Sequence, residues 1–244
     1  MDWVRSAMKA LRQFLFALFA LGLVAEARAG GPPNVLYDLA KPSVLPAHRN
    51  IIKNYWKQIP AGSQLEEGVM TALTLGGRNG PEHVSGIIEV FYQTSQQQFE
   101  RLARLKHAGN LDQQVAALGS RTWNRVVGVN AELRFADERI GAANVKSFQA
   151  PPGDDTIPDI LDNAGNLYEI KYRTWSNGMP QNVIRERFAE ILRQAEIQQA
   201  LAASQGKMFT LVLEQPIPPS HLDLFEGMFY DLMNKGNVAI IDGF

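Results

Sequence analysis

The sequence predicts an α/β fold in which a helix is followed by a three-strand meander, a second helix and a further strand, all behind a mostly helical N-terminal region. Between residues 157 and 172, two short runs rich in β-branched and aromatic residues flank the turn sequence Asp162 to Asn166, a pattern typical of a hairpin. Soon after it, Gln181 to Ala203 places apolar residues at mostly three- and four-residue steps, which indicates a long amphipathic helix. Helix and strand patterns that alternate in this way are typical of α/β proteins.

The composition is that of a globular protein with a sizeable core. The chain has 244 residues, of which 45% are hydrophobic and 20% charged, and this length allows one large domain or two small ones. It contains no cysteine, so the fold gains nothing from disulfides. Without the first 29 residues, Lys plus Arg falls from 24 to 20 and Asp plus Glu from 25 to 23, which leaves a net charge of about −3. An acidic balance argues against a strongly basic nucleic-acid binder, but it is compatible with a nuclease that uses a local basic patch and a bound metal.

Residues 1–29 have the form of a secretory signal peptide. Basic residues occur at the start, Phe14 to Val24 is an unbroken apolar run, and Ala27-Arg28-Ala29 is a small-x-small cleavage site. The apolar run is short for a transmembrane span, although an uncleaved anchor that extends back to Ala7 stays open. We expect cleavage, export to the periplasm or the medium, and no stable membrane insertion afterwards.

Residues 30–118 are predicted to be an extended lead-in followed by helices. Five prolines between positions 32 and 60 favour extended structure, with one short helix near Arg49 to Gln58. The spacing of apolar residues then predicts helices at Leu65 to Leu75 and over Glu82 to Leu118, the latter divided at Gly109-Asn110.

Residues 119–244 contain the predicted α/β core. Its first helix is predicted over Arg121 to Ile140 and its first strand over Asn144 to Phe148. After the hairpin and the long helix, three further elements are predicted: a strand at Lys207 to Glu214, a helix at Ser220 to Asn234 capped by Ser220, and a closing strand at Val238 to Ile241.

The length of the hairpin loop decides which charged side chains share a face. A three-residue hairpin loop usually ends with a glycine in the left-handed region, and Asn163-Ala164-Gly165 fits that pattern. Counting back from this loop places Asp159 opposite Glu169, and Lys171 shares the face of Glu169 because side chains alternate along a strand. A two-residue loop at Ala164-Gly165 instead pairs Asp159 with Ile170 and turns Glu169 away. The position of Gly165 favours the three-residue loop.

Two carboxylates and one amine on a common face predict a metal-dependent site that acts on phosphoesters. Like charges at roughly 5 Å repel, so the pair needs a raised pKa or a compensating cation. Lys171 supplies one positive charge and a divalent ion supplies the rest, since carboxylate oxygens suit Mg²⁺, with Mn²⁺ as the alternative. Such an ion polarises a phosphoryl oxygen and lowers the pKa of a bound water, while Lys171 orients that water or meets the developing charge.

Pro158-Asp159, followed after ten residues by Glu169, a spacer and Lys171, resembles the active-site motif of the PD-(D/E)xK nuclease superfamily. The superfamily includes type II restriction enzymes and many bacterial nuclease toxins. The resemblance implies a restriction-endonuclease-like core with the motif on its second and third strands. It also implies that Asp159, Glu169 and the Ile170 carbonyl bind the metal and that Lys171 is catalytic. The alternative is a surface hairpin whose charged residues lie on its solvent face.

The resemblance also implies an acidic residue on the helix before the motif strands, which adds a metal ligand in many members. Glu132 is the match, and Asp137 and Glu138 are its competitors. The apolar neighbours Val129 and Leu133 indicate a partly inward direction for Glu132, whereas the alternative is a solvated helical face.

The helix after the motif strands often directs Arg, Lys or Gln side chains toward substrate phosphates in members of the superfamily. The matching candidates in this chain are Arg173, Arg187, Arg193 and Gln194. The alternative for Arg185 and Arg187 is pairing with Glu186, Glu190 or other nearby carboxylates along the helix.

The resulting functional expectation is an exported metal-dependent endonuclease that cleaves DNA or RNA, with tRNA as the RNA candidate. By analogy with restriction-endonuclease-fold toxins, it implies a bacterial toxin or effector with a cognate immunity protein; a scavenging nuclease is the enzymatic alternative. The competing class is a non-catalytic exported binding protein, which the acidic charge and the lack of a clear phosphate-binding tract favour. Action on another phosphoester also stays open. Burial separates the classes, because a site needs Asp159, Glu169 and Lys171 to converge in a cleft.

Overall fold

A computed structural model of the chain describes residues 59–60, 62–76, 97–118, 123–148, 157–172 and 175–244. The predicted signal peptide, the lead-in with its short helix, and Arg173 therefore lie outside the described residues. The chain divides into two compact units: one contains Met1–Lys106 and Leu111–Val126, and the other contains His107–Asn110 and Val127–Phe244. Among the described residues, no helix combines the length and the apolar character needed to cross a membrane.

The described part of the first unit is helical. It contains α1 (Gln64–Gly76), α2 (Gln97–Arg104) and α3 (Leu111–Leu118). At the start of α1, the amide of Glu66 donates to the Ser63 hydroxyl at 3.1 Å, and the Glu66 carboxylate accepts from the amide of Gly62 at 2.5 Å. The Ser63 hydroxyl thereby satisfies one of the amides that the first turn of the helix leaves without a partner, and the Glu66 carboxylate binds the amide of the residue before Ser63.

The second unit alternates helices and strands. Helix α4 (Trp123–Phe135) enters it and continues into a π-helical turn (Ala136–Gly141) and a 3₁₀ turn (Ala142–Asn144). The elements that follow, in chain order, are β1 (Val145–Phe148), β2 (Ile160–Asp162), β3 (Leu167–Lys171), α5 (Gln181–Ser204), β4 (Phe209–Leu213), a 3₁₀ turn (Pro219–His221), α6 (Leu222–Met233) and β5 (Val238–Asp242).

The five strands form one mixed sheet in the order β1-β2-β3-β4-β5. Neighbouring strands are antiparallel from β1 to β3 and parallel from β3 to β5. A parallel neighbour requires a crossover connection, and α5 makes the crossover from β3 to β4. The predicted α/β class is confirmed.

The core of the second unit lies between α5, α6 and one face of the sheet. All five residues of β4 are buried, as expected for a central strand with parallel neighbours. Edge-to-face ring contacts join the two helices: Phe188 of α5 lies 5.3 Å from Phe225 and 6.1 Å from Phe229 of α6, measured between ring centroids. The same buried cluster includes Leu167 of β3 and Leu211 of β4, so it fixes α5 against the sheet and thereby fixes the side chains that α5 directs toward β3.

Several predicted element boundaries are wrong, and three of them affect the description of the fold. Strand β2 begins at Ile160 rather than at Ile157, because Pro158 has no amide hydrogen to donate to a ladder. Helix α4 gives way to the π-helical turn after Phe135 rather than continuing to Ile140. Ser220 does not cap α6: the N-cap is His221, and the Ser220 hydroxyl lies 3.1 Å from Oδ1 of Asn177.

Candidate active site

The hairpin between β2 and β3 has the register that the sequence predicts. Ile160 pairs with Tyr168 and Leu161 with Leu167. The three residues between Asp162 and Asn166 form the loop, and the third of them, Gly165, has φ of 87°. The amide of Gly165 donates to the carbonyl of Asp162 at 3.1 Å. Extended by one residue at each strand end, this register sets Asp159 opposite Glu169.

Asp162 holds the hairpin loop together. Its carboxylate accepts three hydrogen bonds: from the Asn166 amide at 2.8 Å, from Nδ2 of Asn166 at 2.9 Å and from the Tyr168 hydroxyl at 2.9 Å. Burial, together with the hydrogen bond and negative charge of Asp162, raises the pKa of Tyr168 to about 12. The Asp162 carboxylate therefore stabilises the loop, and the loop fixes the register of the two strands.

Asp159 lies at a bend immediately before β2 and is half-buried. Its Oδ2 accepts a hydrogen bond of 2.7 Å from the backbone amide of Ile170. Ile170 follows Glu169 in β3, so the carboxyl group of Asp159 is tied to the strand that carries the other two motif residues. The Ile170 side chain is buried; its carbonyl as a metal ligand stays a prediction.

Glu169 and Lys171 form a buried ion pair. Glu169 has 3% of its surface exposed, and its Oε1 pairs with Nζ of Lys171, whose side chain is 16% exposed. The second oxygen, Oε2, accepts a hydrogen bond of 2.7 Å from Nε2 of Gln198 in α5. Glu169 thus faces α5 and the interior rather than solvent, and Lys171 is largely shielded from solvent beside it.

Burial and neighbouring negative charges disfavour the ionised form of Asp159. Burial, then the charges of Glu169 and Glu132, raise the pKa of Asp159 well above its ordinary value. The Lys171 amine and the hydrogen bond from the Ile170 amide act in the opposite direction without cancelling that rise. The charges of Glu169 and Glu132 thus both act on Asp159, and an added cation or proton relieves this repulsion.

Glu132 lies on α4 and is half-buried. Of the acidic residues proposed from the preceding helix, it is the one whose charge raises the pKa of Asp159. Its competitors Asp137 and Glu138 lie in the π-helical turn beyond the end of α4. The electrostatic influence on Asp159 favours Glu132 over these two, and its role as a metal ligand stays a prediction.

The donor chemistry around Asp159 and Glu169 fits a hard divalent cation held by few protein ligands. Within the described residues, no group of three or more His, Cys, Asp or Glu side chains is placed to hold a metal ion. Mg²⁺ is usually bound through one or two carboxylates, with waters and substrate phosphates completing its shell. A pair of carboxylate oxygens from Asp159 and Glu169 satisfies that requirement, whereas a closed cage of protein ligands is a different kind of site.

The predicted phosphate-binding residues of α5 differ in burial. Arg193 is exposed and Arg187 half-buried, and Arg173 lies outside the described residues. Gln194 is only 3% exposed, and its Oε1 has no hydrogen-bond partner among the described residues. Gln194 therefore faces inward, one helical turn before Gln198, and its predicted contact with substrate phosphates stays untested.

Gln198 is the residue that the sequence analysis missed. It lies on the same face of α5 as Gln194, since residues four apart share a helix face. A polar residue among apolar ones on the buried face of an amphipathic helix was the available signal, because buried amides require partners. Sequence alone does not name that partner, which the packing of α5 against β3 determines.

Comparison of the chain with protein-family models, with curated proteins and with solved structures finds no significant match.

Proposed function

We propose that the second unit is a metal-dependent endonuclease of PD-(D/E)xK type that hydrolyses phosphodiester bonds of DNA or RNA, with tRNA as the RNA candidate. One observation carries the proposal: Glu169 is buried between Lys171 and Gln198, while Asp159 is tied to the next backbone amide of the same strand. The amine and both carboxylates of the motif thereby share one small region of the fold.

The topology supports the proposal. Helix α4, the antiparallel meander of β1 to β3, the crossover α5 and the parallel strand β4 follow the order of a restriction-endonuclease-like core. Asp159 directly precedes the second strand, and Glu169 and Lys171 lie on the third. The resemblance implies the same two strands for the motif. Strand β5 extends the sheet by one parallel neighbour beyond it.

Asp159 and Glu169 are the residues that we assign to bind Mg²⁺ or Mn²⁺, with the Ile170 carbonyl and Glu132 as additional ligands. Such an ion, when bound, polarises a phosphoryl oxygen and generates a nucleophile from water at neutral pH. The excess of carboxylate charge around Asp159 supplies the attraction for the ion, because a cation relieves repulsion that Lys171 alone leaves.

Lys171 has the role of a catalytic residue in this proposal. Its amine orients the attacking water and meets the negative charge that develops on the phosphoryl oxygens. The burial of Glu169 and Lys171 strengthens these interactions, since charges act more strongly where water is excluded. The hydrogen bond from Ile170 holds Asp159 in place, so that little reorganisation is needed when substrate binds.

The biological setting follows from the leader and the resemblance. A signal peptide at residues 1–29 implies export, and an exported nuclease of this type implies a bacterial toxin or effector whose partner is a cognate immunity protein. The toxin or effector role and the immunity protein both presuppose the nuclease activity.

The test is cleavage of plasmid DNA and of total tRNA by the full-length protein with Mg²⁺ or Mn²⁺. We expect EDTA to abolish cleavage, and Lys171→Ala to reduce it by at least about 100-fold. Lys146→Ala is the matched control: Lys146 is exposed on β1, and its removal is expected to leave the rate unchanged. If folded wild-type protein cuts neither nucleic acid with either ion, the nuclease proposal is wrong and the search turns to binding partners.

A further inference from the structure

One amide of the crossover helix reaches both segments of the motif. Gln198 is fully buried, and its Nε2 donates to Oε2 of Glu169 at 2.7 Å. The same nitrogen lies 3.5 Å from the carbonyl of Ile157, a long contact, two residues before Asp159. A single side chain of α5 thus links the entrance of β2 to the middle of β3.

The apolar surroundings of Gln198 make a buried amide there unfavourable unless the amide forms hydrogen bonds. Its neighbours on the inward face of α5 are Ile191, Ala195 and Ala202, all buried apolar residues of the core. Burying a primary amide in such surroundings is unfavourable unless hydrogen bonds compensate it, and an apolar residue of similar size packs there without that requirement. The partner that compensates Gln198 is a carboxylate oxygen of Glu169.

We propose that Gln198 is a positioning residue that holds the carboxylate of Glu169 in one orientation for metal binding. Its amide engages Oε2, and Lys171 pairs with Oε1, so the carboxylate cannot rotate without losing the Gln198 bond. Partners that orient a metal-binding group in this way are typically needed for full metal affinity and activity. This inference depends on the proposed function, because it gives Glu169 the role of a metal ligand.

Gln199 provides a matched control one residue further along α5. It is also buried, at 6% exposure, and its amide is hydrogen-bonded as well: Nε2 donates to Oδ1 of Asn237 at 3.0 Å, and Oε1 accepts from Nζ of Lys235 at 2.8 Å. These contacts lie near the start of β5, away from the motif. Gln199 therefore shares the burial and bonding of Gln198 without its contact to Glu169.

The experiment compares Gln198→Met and Gln199→Met in the full-length protein. Mn²⁺ affinity is measured by electron paramagnetic resonance of the unbound ion, and kcat and KM are measured with the cleaved nucleic acid. For Gln198→Met we expect Mn²⁺ affinity and kcat to fall by about 10- to 100-fold, with KM within about twofold of wild type. For Gln199→Met we expect wild-type affinity and kcat, although both variants lose thermal stability.

A second measurement needs no variant and covers the case in which Gln198→Met fails to fold. In ¹⁵N-labelled wild-type protein, the side-chain amide signals of both glutamines are followed while Mg²⁺ is added. We expect the Gln198 signals to shift with metal occupancy and the Gln199 signals to stay in place. Metal binding that leaves the Gln198 signals unmoved overturns the inference.

The outcomes separate the inference from the proposed function. A wild-type protein that binds Mn²⁺ and cleaves nucleic acid, with a Gln198→Met variant that matches Gln199→Met in affinity and kcat, overturns the positioning role alone. A folded wild-type protein that neither binds Mn²⁺ nor cleaves overturns the proposed function, and the positioning role with it.

Discussion

The backbone amide of Ile170 donates a hydrogen bond of 2.7 Å to Oδ2 of Asp159. Asp159 lies outside the ladder of β2, so this bond replaces the strand pairing that Pro158 interrupts. It connects the first motif carboxylate to the peptide unit directly after the second, Glu169. The separation of the two carboxylates therefore depends on the backbone of β3 rather than on the pairing of β2.

Asp159→Asn is expected to stabilise the metal-free protein at neutral pH. Burial and the charges of Glu169 and Glu132 raise the pKa of Asp159. A carboxyl group with a raised pKa in the folded state favours folding below its unfolded pKa and loses that contribution as pH rises through the folded value. Asparagine retains an oxygen for the Ile170 amide but carries no charge. We expect a gain on the order of 1 kcal/mol at pH 7 and none near pH 3, measured by urea unfolding in EDTA.

The same variant tests the link between this instability and metal binding. Mg²⁺ is expected to raise the unfolding midpoint of the wild-type protein, since a ligand that binds only the folded state stabilises it. Asp159→Asn is expected to gain less from Mg²⁺. A variant that is less stable than wild type at pH 7 without metal contradicts the electrostatic account of the site.

Lys171→Met is expected to destabilise the protein by about 3 kcal/mol, because it leaves the buried Glu169 carboxylate without its cation. Glu169→Gln in the same chain removes the stranded charge, and the double variant is expected to recover most of the loss. Urea unfolding of the wild type, both single variants and the double variant gives the coupling energy of the pair. A double variant whose loss equals the sum of the two single losses argues that the ion pair contributes no coupling energy at this position.

Gly165→Ala is expected to destabilise the hairpin. Gly165 has φ of 87°, and a Cβ there lies 2.9 Å from Cε of Lys207. A left-handed conformation costs a residue with a Cβ about 1–2 kcal/mol, and Asn tolerates it better than Ala does. We therefore expect Gly165→Ala to lose more stability than Gly165→Asn, as judged from thermal unfolding. An alanine variant that is as stable as the wild type argues against the left-handed loop.

The hairpin was predictable from sequence because its turn chemistry is local. Gly165 in the third loop position fixed the three-residue loop, and side-chain alternation then placed Lys171 beside Glu169. The start of β2 was not predicted, since apolar residues at Ile157 and Ile160 suggest a longer strand. Pro158 was the missed signal, as its lack of an amide hydrogen stops the ladder there.

The partners of the site were less predictable, because they come from elements distant in sequence. Gln198 is 29 residues from Glu169, and no local pattern connects the two. The prediction for Glu132 used its apolar neighbours to infer an inward direction, and its charge does act on Asp159. Tertiary packing, rather than propensity, decides which polar residues of a helix meet a given strand.

Gly68 in the first unit lies where α1 and α2 approach each other closely. An ideal Cβ at Gly68 lies 1.6 Å from the carbonyl oxygen of Phe99, so α1 and α2 approach too closely for any side chain. Gly68→Ala must separate these helices, and we expect a loss of about 2–3 kcal/mol. Gly227→Ala is the control: Gly227 is an exposed residue inside α6 with open space around it. Because alanine is the better helix former, that variant is expected to gain about 0.5–1 kcal/mol. Chemical unfolding of each variant gives both changes, and a Gly68→Ala variant as stable as the wild type contradicts the close packing of α1 against α2.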